Sequence, residues 1–256
     1  MSTNGAKEPP TEGADYRARI YERYVRVTGS EADAAAARAI VSAPSPYLAK
    51  AIRDHFPADR ASTILDLGCG EGSFLRELRR AGYTHVAGVD RSPEQVAIAA
   101  QHGESGVRLG DILDEARDLP AASHDVIISF DVLEHLRREE VLTLGEQVLR
   151  ALRPGGRWLI HVPNAESPFF GRMRYGDVTH EQAFTRGSLR QVLGAVGFGT
   201  VRCYEDAPVV HGAKSVVRLA MWKVIRLGLR AYLAAETGDT SPDPIFSQNL
   251  LAVAQR

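Results

Sequence analysis

Two cysteines, Cys69 and Cys203, are all that this chain of 256 residues contains. They are too few for a disulfide framework or a cysteine-based metal cluster, and this fits a reducing compartment, the cytoplasm. An excess of one charge is missing too. Lys and Arg number 31 against 32 Asp and Glu, a formal net charge of -1, so no overall field draws the chain toward nucleic acid or an anionic membrane. Lysine itself is scarce, at Lys7, Lys50, Lys214 and Lys223 only, a bias that reflects codon usage more than function. The opening stretch MSTNGAKEPPTEGADYR has no apolar core of the kind a signal peptide carries; residues 1–15 read as a disordered tail.

What is present is an ordinary globular composition, 44% hydrophobic and 25% charged, organised around TILDLGCGEG at residues 63–72. Thr63, Ile64 and Leu65 suit a buried parallel strand; Gly68, Gly70 and Gly72 make a turn; residues 73–80 follow as a helix. A strand passing through a glycine turn into a helix N-terminus lets a ligand lie against the backbone, because glycine has no Cβ to hold it away. The turn is flanked by Asp66 and Glu71. Carboxylates among phosphate-binding amides would repel a pyrophosphate, whereas a cationic ligand suits them. S-adenosylmethionine (SAM), with a sulfonium, an ammonium and no phosphate, is such a ligand.

Further motifs follow in order: VAGVDRS, GDILD, FDVLEHL and LRPGGRWLIHVPN. In this ordered set the chain resembles the class I SAM-dependent methyltransferases over about residues 60–200. The resemblance implies an α/β, doubly wound, Rossmann-like seven-stranded sheet with the last strand antiparallel, N-terminal helices and an added long C-terminal helix. The alternation of strands at 85–90, 107–111, 125–129 and 158–162 with helices, without two-residue hairpins, points independently to a parallel doubly wound sheet. The expected divisions are a helical cap at 16–58 and a methyltransferase domain at 59–256, with acceptor-side insertions at 163–187 and 207–248. Within the cap, an amphipathic helix is expected at 16–28, packed on the domain or closing as a lid on the cofactor, and a second helix from Ser30 to about Ser42, where Pro44 and Pro46 end the run.

Asp90 ends the second strand about 20 residues after the glycine turn, where a carboxylate accepts ribose hydroxyls in this topology; it could also cap the helix after Ser92. By resemblance, Asp66, Gly68, Cys69 and Gly70 receive the methionyl part and Arg91 adjoins the ribose site. Asp111 approaches the adenine amino group, Ile112 packs on the ring, and Ser129 and Phe130 lie beside the sulfonium.

An aliphatic hydroxyl acceptor must lose a proton during methyl transfer, which calls for a base or a metal. Asp131, Glu134 and His135 fall at helical spacing after strand four, and His180 lies in a polar segment after strand five. Together they form a mixed oxygen and nitrogen set suited to Mg²⁺ or Mn²⁺, and the spacing resembles that of small-RNA 2′-O-methyltransferases. His180, His135 and Glu134 are the candidate catalytic residues; His180 as a metal-free base and a purely structural His180 stay open. His161 reads as a strand residue. The reading is an O-methyltransferase acting on a sugar, a glycan or a related small molecule. A metal-free N- or C-methyltransferase and a non-catalytic SAM-binding protein are its rivals. Nucleic acid is not an expected partner, since no basic, aromatic-interleaved patch is present. The helix at 214–235 is apolar with interspersed cations, which leaves packing on its own domain, a homodimer contact or a membrane surface as its roles.

Overall fold

The computed structural model describes residues 16–25 and 44–256. The expected disordered tail and the helix from Ser30 to Ser42 lie outside them. Of the first expected helix, 16–28, the described residues show α1 at Tyr16–Tyr21, a turn at 22–23 and helical backbone again at Tyr24 and Val25.

Helix α2 (Pro46–His55) starts where Ser45 accepts a hydrogen bond from the Leu48 amide and Pro46 takes the first turn. Strands and helices then alternate: β1 (Thr63–Leu67), α3 (Ser73–Arg80), β2 (His85–Asp90), α4 (Pro93–Gln101), β3 (Val107–Leu109), α5 (Ile112–Asp118) and β4 (His124–Phe130). A single 3₁₀ turn at Leu133–His135 precedes α6 (Arg138–Ala151), β5 (Leu152–Pro163), α7 (Phe170–Arg174), α8 (Arg186–Val196), β6 (Thr200–Glu205), α9 (Ala213–Thr237) and β7 (Asn249–Gln255). The third strand stops short of the expected residue 111 because Asp111 caps α5, accepting from the Leu113 and Asp114 amides.

The sheet has seven strands in the order β3-β2-β1-β4-β5-β7-β6, and β7 runs antiparallel to both of its neighbours. This is the expected fold. Alternation along each strand sorts the core onto two faces. Ile64, Val126, Ile128, Leu159 and Leu251 pack with α2 and α3 through Ile52, Phe56, Phe74 and Leu78. Leu65, Ile127, Trp158, Ile160 and Leu250 pack with α6 and α8 through Leu144, Val148, Leu189 and Leu193. The strand order reverses between β1 and β4, so their C-terminal ends open a crevice, and a doubly wound sheet binds ligands there.

Candidate active site

The glycine turn is fixed by its neighbours on β2. The Gly68 and Cys69 amides donate to the Val89 carbonyl at 2.8 and 3.1 Å. Asp90 accepts from the Gly70 amide through Oδ2 and from the Ser92 amide through Oδ1, both at 2.8 Å. Asp90 therefore holds the turn as well as facing the cavity, and the Ser92 hydroxyl caps α4 at the Gln95 amide. Gly68 has φ +83 and a Cβ there would sit 2.4 Å from Val132 Cγ2, so the loop after β4 closes on the turn only if the residue is glycine. Gly70, at φ +54, has nothing nearer than Gln95 Oε1 at 3.9 Å. Its Cα faces open space.

That space is a cavity of about 280 Å³ reached by Gly68, Gly70, Asp90, Arg91, Asp111 and Ile112. A second cleft on the other side of the turn is reached by Asp66, Cys69 and Phe130. Asp66 is buried and its Oδ1 has no hydrogen-bond partner. Burial, and then the Asp90 charge, push its carboxyl up to about 7. A buried carboxylate oxygen with nothing donating to it, beside a glycine turn without Cβ atoms, fits the ammonium and methionyl backbone of SAM. Cys69 is no nucleophile, since burial raises its thiol far above its ordinary range; its side chain fills the space left by Gly88.

Ser129 departs from the expectation. It is fully buried and its hydroxyl accepts from Trp158 Nε1 at 3.1 Å, beneath the sheet surface and outside both clefts. Strand parity turns it to the face of α6, opposite the neighbouring Phe130.

Residues that the sequence reading did not single out, on the stretch it weighed as a lid, close the cavity. Arg17 of α1 is buried, makes a paired bond to both Glu140 oxygens at 2.8 Å and donates to the His135 carbonyl at 3.0 Å. Arg17 first, and then the Arg137 amide against the effect of burial, hold the Glu140 carboxyl down at about 2. Tyr21 and Tyr24 join the wall, with Arg91 4.7 Å over the Tyr21 ring. The pattern of aromatic and basic residues at 16–25 was their only sequence signal.

Asp131, Glu134 and His135 do not share a helical face. Asp131 is left-handed at φ +54, and only Leu133–His135 turn, as one 3₁₀ unit. Asp131 thereby leaves the expected metal set and meets His161 instead, Oδ1 to Nδ1 at 2.6 Å. His161 also approaches Asp206 through Nε2 at 3.4 Å and stacks on Phe130 at 4.3 Å. Burial lowers an imidazole's pKa, but the carboxylates of Asp131 and Asp206 outweigh it and lift His161 to about 10. His161 is a buried imidazolium.

Glu134, His135 and His180 do converge, each offering a ligand atom within 4.8 Å of the others. The Glu134 carbonyl accepts from the Glu181 and Gln182 amides at 2.7 and 3.2 Å, which ties the 163–187 insertion to the 3₁₀ turn. Thr179 donates its one hydroxyl proton to Asp177 at 2.6 Å, so the 2.8 Å contact of its oxygen with His135 Nδ1 requires the proton on that nitrogen. His180 Nδ1 likewise donates to the Met173 carbonyl at 3.0 Å. With Nδ1 so engaged, Nε2 is the nitrogen that each ring has left for a ligand. Burial, and then His180, push His135 down to about 4, so it is neutral. Glu134 is fully enclosed with neither carboxylate oxygen hydrogen-bonded, and burial, then Asp131, raise it well above the carboxylate range.

A doubly wound sheet, a glycine turn held by the acidic end of β2 and an unpartnered carboxylate beneath the turn match what the resemblance to the class I SAM-dependent methyltransferases implies. Residues 41–202 match the family described as methyltransferase domain, and the chain belongs to it. It is 30% identical over 151 residues to a probable S-adenosylmethionine-dependent methyltransferase of Mycolicibacterium smegmatis, a match covering 59% of this chain and 56% of the relative. It is 33% identical over 105 residues to a ubiquinone biosynthesis O-methyltransferase of Xylella fastidiosa, covering 40% and 42%. The chain thus spans about half the length of these curated relatives. A crystal structure of a SAM-dependent methyltransferase from Archaeoglobus fulgidus superposes with TM-score 0.61 at 20% identity, over 94% of this chain and 100% of the other.

Proposed function

We propose that this chain moves the methyl group of SAM to a hydroxyl of a sugar, a glycan or a related small molecule, and that Glu134, His135 and His180 hold a divalent ion beside the acceptor. The observation that carries the metal is Glu134. An unsatisfied buried polar group costs roughly 1–3 kcal/mol, and here two carboxylate oxygens are left bare with a ligand nitrogen of each of two imidazoles within 4.8 Å. Asp177 with Thr179, and the Met173 carbonyl, orient the two rings from behind, as the partners of metal-binding histidines do. One carboxylate and two imidazoles put Mn²⁺ ahead of Mg²⁺, with Fe²⁺ and Zn²⁺ as competitors.

When bound, such an ion lowers the pKa of a coordinated acceptor hydroxyl. The chain's own part is positional. The glycine turn and Asp90 fix the cofactor, and the 3₁₀ turn sets His135 in the wall of the same cavity. Most of the rate of a displacement at a sulfonium can come from such alignment. The O-methyltransferase named among the relatives supports a hydroxyl acceptor. The polar groups around the cavity, Tyr21, Tyr24, Asp131 and Asp177, support a hydroxyl-rich one.

The test is transfer of labelled methyl from SAM into fractionated glycan, lipid-linked sugar and small-molecule pools, with and without chelator, beside direct titration of Mn²⁺. Labelling of a sugar fraction that chelator abolishes and Mn²⁺ restores is expected. His180→Ala should lose Mn²⁺ binding and about 100-fold in turnover while keeping SAM affinity. Chelator-resistant labelling with no Mn²⁺ bound would remove the ion.

A further inference from the structure

Helix α9 is 25 residues long, and of these only Ser215 is buried. At 100° per residue, its half-buried positions Leu219, Trp222, Arg226 and Leu233 fall on one side, where Arg226 pairs with Glu205 at 2.9 Å and donates to the Pro244 carbonyl. The opposite side is an apolar stripe about 140° wide. It carries Val216, Val217, Met221, Val224 and Leu227, each more than half exposed, with Val224 at 72%. Lys223 borders the stripe on one flank, Lys214 and Arg218 on the other, all exposed and none in an ion pair with a described residue.

The charge is one-sided. From residue 213 to 235 the helix contains Lys214, Arg218, Lys223, Arg226 and Arg230 and no Asp or Glu, in a protein whose net charge is -1. Among the described residues no helix is long and apolar enough to cross a membrane. An apolar stripe lined on both edges by long cationic side chains suits a helix lying in the plane of an interface, its stripe among acyl chains and its cations turned to headgroups. A second copy of the chain fits poorly, because a two-fold contact through this stripe sets the same cations against one another.

We propose that the outer face of α9 docks on an anionic lipid bilayer. The proposal stands independently of the acceptor and of the metal. Bound this way, the protein would sit on the surface by α9, which Arg226 ties to Glu205 at the end of the edge strand β6.

The experiment is flotation of the full chain on phosphatidylcholine vesicles with and without phosphatidylglycerol, at low and high salt, with light scattering to read the oligomeric state. Two double variants leave both cofactor clefts untouched, Lys214→Glu with Arg218→Glu and Val224→Asp with Leu227→Asp, and retained SAM binding certifies their fold. Flotation only on phosphatidylglycerol vesicles is expected, weakened by salt, with about fivefold lost for each cation removed and at least tenfold for the apolar pair. Equal flotation on both vesicles, no flotation at all, or flotation unchanged in either variant would overturn it. So would a wild-type dimer that Val224→Asp with Leu227→Asp turns into a monomer, since the stripe would then be a subunit contact.

Discussion

Asp66 shows how burial of one side chain couples a proton to stability. Its carboxyl is ordinary in the unfolded chain, at 3.8, and sits at about 7 when folded, because burial and the Asp90 charge penalise the ionised form. The folded state therefore binds the proton more tightly, and stability falls as pH rises from about 4 through 7. A cationic ligand reverses this. SAM should raise the melting temperature more above pH 7 than below it, and Asp66→Asn should flatten that dependence while lowering SAM affinity about tenfold, read by calorimetric titration across the range. An unchanged pH profile in the variant would take the ammonium away from Asp66. At this scale the sequence was legible wherever the backbone itself makes the demand. Gly68, Gly70 and Asp90 had to be what they are because a left-handed turn needs an acceptor for its amides. Ser129 was not legible, because its place next to Phe130, which lines the cleft, hides the parity that turns it under α6.

The segment from Asp131 to His135 looked helical by spacing and is not. Val132 must lie on Gly68, so the chain leaves β4 through a left-handed Asp131 before it can turn. Helical spacing would have put Asp131 with Glu134; the left-handed step delivers it to His161 on β5. That contact joins the ends of two parallel strands with Asp206 after β6, a junction that no single stretch of sequence displays. Its energetic sign follows from His161. The ring is raised from 6.5 to about 10 on folding, so the stability it adds is fully present below pH 6.5 and is lost as pH climbs through 10. His161→Gln removes the cation between two carboxylates and should cost about 1.5–3 kcal/mol near neutral pH, the range of a hydrogen bond to a charged group, since Asp131 is half exposed. Urea melts of both proteins should converge toward pH 10. A constant gap over that range would mean that packing on Phe130, and not charge, is what His161 supplies.

Over the whole molecule, the order β3-β2-β1-β4-β5-β7-β6 opens the crevice at β1 and β4, and everything that completes the site is brought in from outside the alternating core. The segment between β5 and α8 contributes His180 and is tied to the Glu134 carbonyl. The stretch at 16–25 contributes three cavity walls and spans the two, reaching Glu140 with Arg17, Asp177 with Tyr24, Glu94 with the Val25 amide and Glu181 with Tyr16. None of these bonds involves a strand, and the sheet's two hydrophobic faces contain no residue of this stretch. A segment held at a cavity rim by polar and aromatic contacts, outside the sheet's two hydrophobic faces, can leave while the core stays folded, and it is held best when ligand fills the space beneath it. Deleting residues 1–25 should therefore change the unliganded melting temperature by only a few degrees, yet weaken SAM at least tenfold, mainly by faster dissociation. In the intact chain, SAM should slow proteolytic cleavage within this stretch. If the deletion collapses the fold, the stretch belongs to the core and not to a cover over the cofactor; if SAM affinity survives, Arg17 and the two tyrosines wall the cavity without holding its contents.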